Sequence, residues 1–170
     1  VTTNTISAAF KNVSIVPPVS ALKQNYLGDS LPNIRYLELS YLFKKDKRNY
    51  KHYPLTGYYL DLLIQQHGLG INNNLFLTTF EGSASKFLKV HNRVYGAIGF
   101  KGKFTPQNNI PYFLQQGLGY DNNLRGYEYY VVDGNHFGMF KSNIKLELIE
   151  KKNSLLKKIK NQKFNTFYYA

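Results

Sequence analysis

The 170-residue chain has no cysteine and no tryptophan. The first absence excludes disulfides and cysteine-ligated metals. Acidic residues are scarce, 10 against 22 Lys and Arg, which leaves a formal net charge of +12. A basic excess of that size ordinarily points to nucleic acid or another anionic surface. Arginine is scarce as well: Arg35, Arg48, Arg93 and Arg125 are the only ones. Planar, bidentate reading of bases and phosphates favours Arg over Lys. The lysines are spread along the chain and densest over 141–163, so no nucleic-acid partner is expected. No apolar run approaches the roughly 18 residues that a membrane-crossing helix needs. Val1–Phe10 lacks the basic start and apolar centre of a secretion signal. If the chain crosses a membrane, it does so with strands that close into a barrel.

Aromatic residues are abundant, with 15 Tyr and 12 Phe, and hydrophobic residues make up 43% of the chain. Such a load opposes disorder and suits β-strands. The recurring period is two, the period of a strand with unlike faces. In Arg35–Lys44, Leu37, Leu39, Tyr41 and Phe43 alternate with Tyr36, Glu38 and Ser40. In Gly57–Gln66, Tyr58, Leu60, Leu62 and Ile64 alternate with Asp61 and Gln65. The same pattern runs through Asn74–Ser85, Arg93–Phe104 and Phe137–Glu150, where Lys141, Asn143, Lys145 and Glu147 form the polar set. Ile6, Ala8 and Phe10 repeat it near the start, and Asn165, Phe167 and Tyr169 near the finish. Several of these segments exceed the five or six residues usual in soluble proteins and reach the roughly 9–11 of membrane-spanning strands. An apolar face opposite one of Lys, Glu, Asp, Ser and Asn fits lipid outside and a polar lumen within. An exposed antiparallel sheet with one wet face is the simpler alternative.

The expected fold is all-β: an antiparallel transmembrane β-barrel segment of about six to seven long strands. Both ends read as cut in mid-strand, so residues 1–170 are expected to be part of one larger barrel domain. Ser14–Pro32, Lys44–Pro54, His67–Asn74 and Lys86–Asn92 read as connections, and Lys151–Gln162 as a solvated Lys-rich loop. The longest connection, about residues 105–136, holds the most unusual residues. His52, His67, His91 and His136 lack metal-ligand spacing. Asp121, Glu128 and Asp133 read as solvated loop charges, and neither a nucleophile elbow nor a phosphate-cradling Gly loop is present. No catalytic residue, metal or cofactor is expected.

Asn109–Glu147 resembles the BamA/TamA-type surface-antigen barrel of bacterial outer membranes. Pro111–Gly119 (PYFLQQGLG) looks like the approach to that family's longest extracellular loop, and Asn123–Tyr127 (NLRGY) matches its apolar-Arg-Gly-aromatic signature. Asp133–Gly134, followed by a strand bearing Glu147, matches the strand after the loop. Asp46–Gly57 (DKRNYKHYPLTG) looks like an upstream Asp-Arg-aromatic-Pro-Gly turn. Order and spacing agree over residues 33–150. The resemblance implies a barrel of about sixteen strands in the outer membrane of a Gram-negative bacterium. It also implies a loop folded into the lumen and braced through Leu124, Arg125, Gly126, Tyr127 and Glu147, with Arg125 against Glu147. Such a protein helps insert outer-membrane proteins or translocates polypeptide, without being an enzyme. Its partners are outer-membrane lipids, unfolded outer-membrane or secreted polypeptides, and accessory assembly subunits. Two other functions fit the residues: a barrel that anchors a fused enzyme such as a patatin-like lipase, and a soluble basic β-protein that binds nucleic acid or glycan.

Overall fold

The computed structural model describes residues 1–15, 26–27, 33–70, 75–120, 126–127 and 129–147. The period-two segments form strands: β1 Thr2–Ser14, β2 Asn33–Asp46, β3 Gly57–His67, β4 Leu77–His91 and β5 Val94–Phe104. The long connection adds a short 3-10 turn at Tyr112–Leu114, then β6 Gln116–Leu118 and β7 Val132–Asp133. Strand β8, Phe137–Leu146, follows. Six of these form one antiparallel sheet in the order β1-β2-β3-β4-β5-β8, and β6 and β7 pair separately. The chain is therefore all-β, and among the described residues the sheet is open, with β1 and β8 at its edges.

The strands exceed several of the expected bounds. β1 carries the alternation of Ile6, Ala8 and Phe10 further at both ends and covers Thr2–Ser14. β2 runs on through Asp46, into what reads as the basic turn. The expected connection Lys86–Asn92 is wrong: β4 continues to His91, and only Asn92 and Arg93 turn the chain into β5. Leu88 and Val90 keep the alternation going there, and a register shift between Lys89 and His91 absorbs the irregularity. The expected strand with Asn165, Phe167 and Tyr169 and the Lys-rich loop Lys151–Gln162 lie outside the described residues.

Register places the expected apolar sets on a single face. Ile6 stands opposite Tyr41, Tyr41 opposite Ile64, Ile64 opposite Phe80, and Phe80 opposite Phe104. This face is bare: Ile6 is 82% exposed, Phe140 68% and Ile144 78%. A continuous apolar surface over six strands is far larger than the patches soluble monomers leave in water.

The opposite face is polar along most of its length but not throughout. At the end where the long connection leaves the sheet, Ile34, Tyr36 and Leu77 point to this side and pack with Leu27, Leu75 and Ile110. Phe113 and Leu114 join them from the long connection. Burial of each such side chain stabilises by about 1.5–3 kcal/mol, so this cluster is what holds residues 110–114 over the polar face.

Candidate functional site

The loop over the polar face is tied down by polar contacts as well. Lys103, on the polar side of β5, donates from Nζ to the carbonyl oxygen of Gln116 at 2.8 Å and reaches that of Leu114 at 3.5 Å. The backbone N–H of Phe113 donates to Tyr26, and that of Thr105 to Nδ1 of His136 at the root of the loop. Within the loop the hydroxyls of Tyr112 and Tyr120 both donate to the Asp133 carboxylate. That hydrogen bond pushes the Tyr120 phenol up to about 12. Asp133, expected to be merely solvated, is thus the cross-link between the two arms of the loop. Gly119, at φ +94°, passes so close to Tyr130 that a Cβ would lie 2.2 Å from its carbonyl oxygen.

Between loop and sheet lies a cavity of about 470 Å³, lined by Glu38, His67, Glu81 and Lys103 from the strands and by Gln116 and Tyr120 from the loop. His67 is not an isolated histidine. Its Nδ1 sits 3.2 Å from Glu38 Oε2, off the line that a hydrogen bond needs, and Lys11 approaches the same carboxylate at 3.9 Å. Glu81 pairs with Lys101 at 2.9 Å, and Asp61 accepts from the Tyr59 hydroxyl and the Ser83 N–H. Sequence reading missed this set because its members lie on different strands. Only the register brings Glu38 level with His67. Among the described residues no group of acidic and histidine side chains is arranged to hold a metal.

At the other end, the β2–β3 turn bends over the same polar face. Asp46 takes Nε and Nη2 of Arg48 at 2.9 and 2.7 Å, and the guanidinium lies 4.6 Å from the Tyr59 ring. The Asp46 hydrogen bonds raise the Arg48 guanidinium further above its already high range. Asn49 Oδ1 accepts from the N–H groups of Leu55 and Thr56. Lys145 of β8 donates to the Pro54 carbonyl at 3.0 Å and stands 3.8 Å over the Tyr53 ring.

Leu124 and Arg125 lie outside the described residues, so the expected Arg125–Glu147 pair does too. Gly126 turns at φ +86° with open space where a Cβ would be, so its glycine answers the backbone angle. Tyr127 is exposed, its ring 5.7 Å from that of Tyr130. Glu147 falls on the polar side as expected, beside the β4–β5 turn: its N–H donates to the Arg93 carbonyl, and the Tyr95 hydroxyl reaches its carboxylate at 3.5 Å.

The apolar face has ordered margins. At the loop end the first polar residues are Asn12 on β1 and Arg35 on β2, which pair. On β3 and β4 they are Gln66 and Thr78, level with Leu39. At β8 the margin is His136, stacked on Phe104, and Phe104 is level through Phe80 and Ile64 with Tyr41. The margin has moved from the level of Arg35 to that of Tyr41 across the sheet. That is about 20 Å along the strands over roughly 24 Å of strand spacings, a slant of about 40°. The turn-end margin descends in the same sense, from Asn4 on β1 to Lys45 on β2, then Tyr58 and Lys86; on β8 the polar Ser142 stands level with Lys86 through Ile98, and Ile144 and Leu146 continue the apolar set beyond it. Among the described residues, the charged strand residues on this face are Arg35, Lys45 and Lys86, all at its margins. Glu38, Asp46, Asp61 and Glu81 are on the other side.

No protein-family model, curated protein or solved structure matches the chain.

Proposed function

We propose that this chain is part of the wall of a membrane-spanning β-barrel in a bacterial outer membrane, with the connection 105–136 folded into the lumen. The observation that carries the reading is the slanted apolar band. A flat hydrocarbon slab cutting strands tilted by about 35–45° requires such a slant, whereas a wet sheet face has no need of any apolar band. The polar opposite face, the loop packed upon it and strands of 10 to 15 residues support the same reading. The resemblance adds the activity: insertion of outer-membrane proteins or translocation of polypeptide, with loop and wall bracing each other while a seam elsewhere in the barrel opens.

The absence of cysteine gives a direct test. Single cysteines are placed at Phe140 and at Lys141 in the intact protein and challenged with lipid-soluble and water-soluble maleimides. The expected result is lipid-phase labelling at 140 and aqueous labelling at 141. Equal aqueous labelling at both would overturn the membrane reading. For the activity, depletion of the intact protein is expected to lower the amount of other outer-membrane barrels. Arg125→Glu is expected to weaken that activity and Glu147→Arg to restore it in the double variant. A double variant no better than the single one removes that pair from the brace.

A further inference from the structure

The apolar face is specialised at its turn-end margin. Lys45, Tyr58 and Lys86 occupy that margin on three consecutive strands. Lys86 stands directly opposite Tyr58, and Lys45 Nζ lies 5.9 Å from the centre of the Tyr58 ring. Lys47, just beyond in the turn, brings its ammonium within 6.0 Å of the same ring. No described strand places a carboxylate on this face. Positive charge therefore collects around one amphipathic ring, with no carboxylate beside it on this face among the described residues.

Inward of this rim the face is hollow, because small residues stand between large ones. A hollow of about 370 Å³ runs from Tyr58 and Lys86 over Ala84 to Ile98, Phe100 and Phe140. It adjoins a second, of about 650 Å³, over Gly82 and Gly102. The two share Leu60, Ala84 and Phe100, so they form one apolar trough that opens at the basic rim. A basic rim leading into an apolar trough is complementary to an amphiphile with an anionic head.

We propose that this margin binds an anionic phospholipid, with the phosphodiester between Lys45 and Lys86 at the Tyr58 hydroxyl and one acyl chain in the trough over Ala84 and Gly82. Lysine stems lie along apolar surface while their ammonium groups reach the interface, and charge-assisted hydrogen bonds to phosphate are stronger than neutral ones. The amine of a zwitterionic lipid meets no carboxylate among the described residues of this face, which sets the preference for a net negative head. The site rests on the membrane reading above.

The test reconstitutes the intact protein in phosphatidylcholine vesicles containing a minor share of phosphatidylglycerol, extracts it, and identifies retained lipid by native mass spectrometry. Phosphatidylglycerol is expected to be enriched on the wild-type protein. Enrichment is expected to fall roughly fivefold for each lysine removed and about thirtyfold in Lys45→Gln/Lys86→Gln. Arg35→Gln, at the opposite margin, is expected to leave it unchanged. Ala84→Phe, which fills the trough and keeps both lysines, is expected to reduce it. Equal retention by the wild type and the double variant overturns the site, and so does displacement of the lipid by inorganic phosphate. Wild-type protein that washes off the vesicles in alkaline carbonate overturns the membrane reading and this site together. Protein that stays inserted without any enrichment overturns this site alone.

Discussion

Lys103 of the sheet and Gln116 of the loop are joined by a hydrogen bond of 2.8 Å from the Lys103 ammonium to the Gln116 carbonyl. The same ammonium reaches the Leu114 carbonyl, so one side chain of β5 holds two successive parts of the loop against the polar face. Hydrogen bonds to charged groups contribute about 1.5–3 kcal/mol. Lys103→Met keeps the stem and removes the donor. Amide exchange over Gln116–Leu118 is expected to quicken by about ten- to a hundredfold, the same free energy read as local opening. Exchange that stays at the wild-type rate would show that the apolar cluster around Ile110 alone holds the loop.

The loop's internal cross-link makes a pH prediction. The Tyr120 phenol is raised to about 12 by its hydrogen bond to Asp133, against an ordinary value near 10. A raised pKa in the folded state means that the contribution is fully present below about pH 10 and disappears as pH climbs through about 12. In Asp133→Asn the tyrosine is expected to ionise nearer pH 10. Ultraviolet titration with Tyr120→Phe as the subtraction control checks this, and an unmoved midpoint would remove the carboxylate as the cause.

Strand existence and facing were legible in the sequence because alternation is a local signal: Leu37, Leu39 and Tyr41 declare a face without reference to any partner. Strand ends were less legible. Lys86 and Lys89 look like turn residues, yet Leu88 and Val90 carry β4 past them to His91. The cross-strand groups were not legible at all. Glu38 and His67 are 29 positions apart in the sequence, and the slant of the apolar band exists only once register fixes which residues are level. Ile34, Tyr36 and Leu77 break the polar pattern of their face at one end, which marks where the loop is covered. The alternation contained that clue, but it gains meaning only beside Ile110 and Phe113.

The β2–β3 turn depends on one backbone angle. Gly57 sits at φ +106°, and a Cβ there would lie 2.1 Å from the carbonyl oxygen of Lys47. That oxygen belongs to the backbone, so it cannot swing aside as a side-chain end would. Non-glycine residues held in such conformations cost about 1–3 kcal/mol, and the clash adds to that. Gly57→Ala is expected to loosen the turn and with it the Lys145 contact to Pro54. Faster proteolysis after Lys51 in the variant would register the change, and an unaltered cleavage rate would mean that the turn adapts.

Charge placed on the apolar face separates membrane from water most sharply. Phe100 lies inside the band and Phe104 at its margin beside His136, yet both are 56% exposed. In a soluble sheet the two sites are therefore equivalent, and a lysine at either changes stability little, within about 0.5 kcal/mol. In a bilayer they differ by depth. Phe100→Lys is expected to cost about 2–4 kcal/mol and Phe104→Lys about 0–1 kcal/mol. Denaturant unfolding of the intact protein in lipid vesicles measures both. A large difference between the two variants supports hydrocarbon over the middle of the face. Two small, equal values would mean that the apolar band faces water or another protein surface, and the slant of its margins would then need a cause other than a membrane.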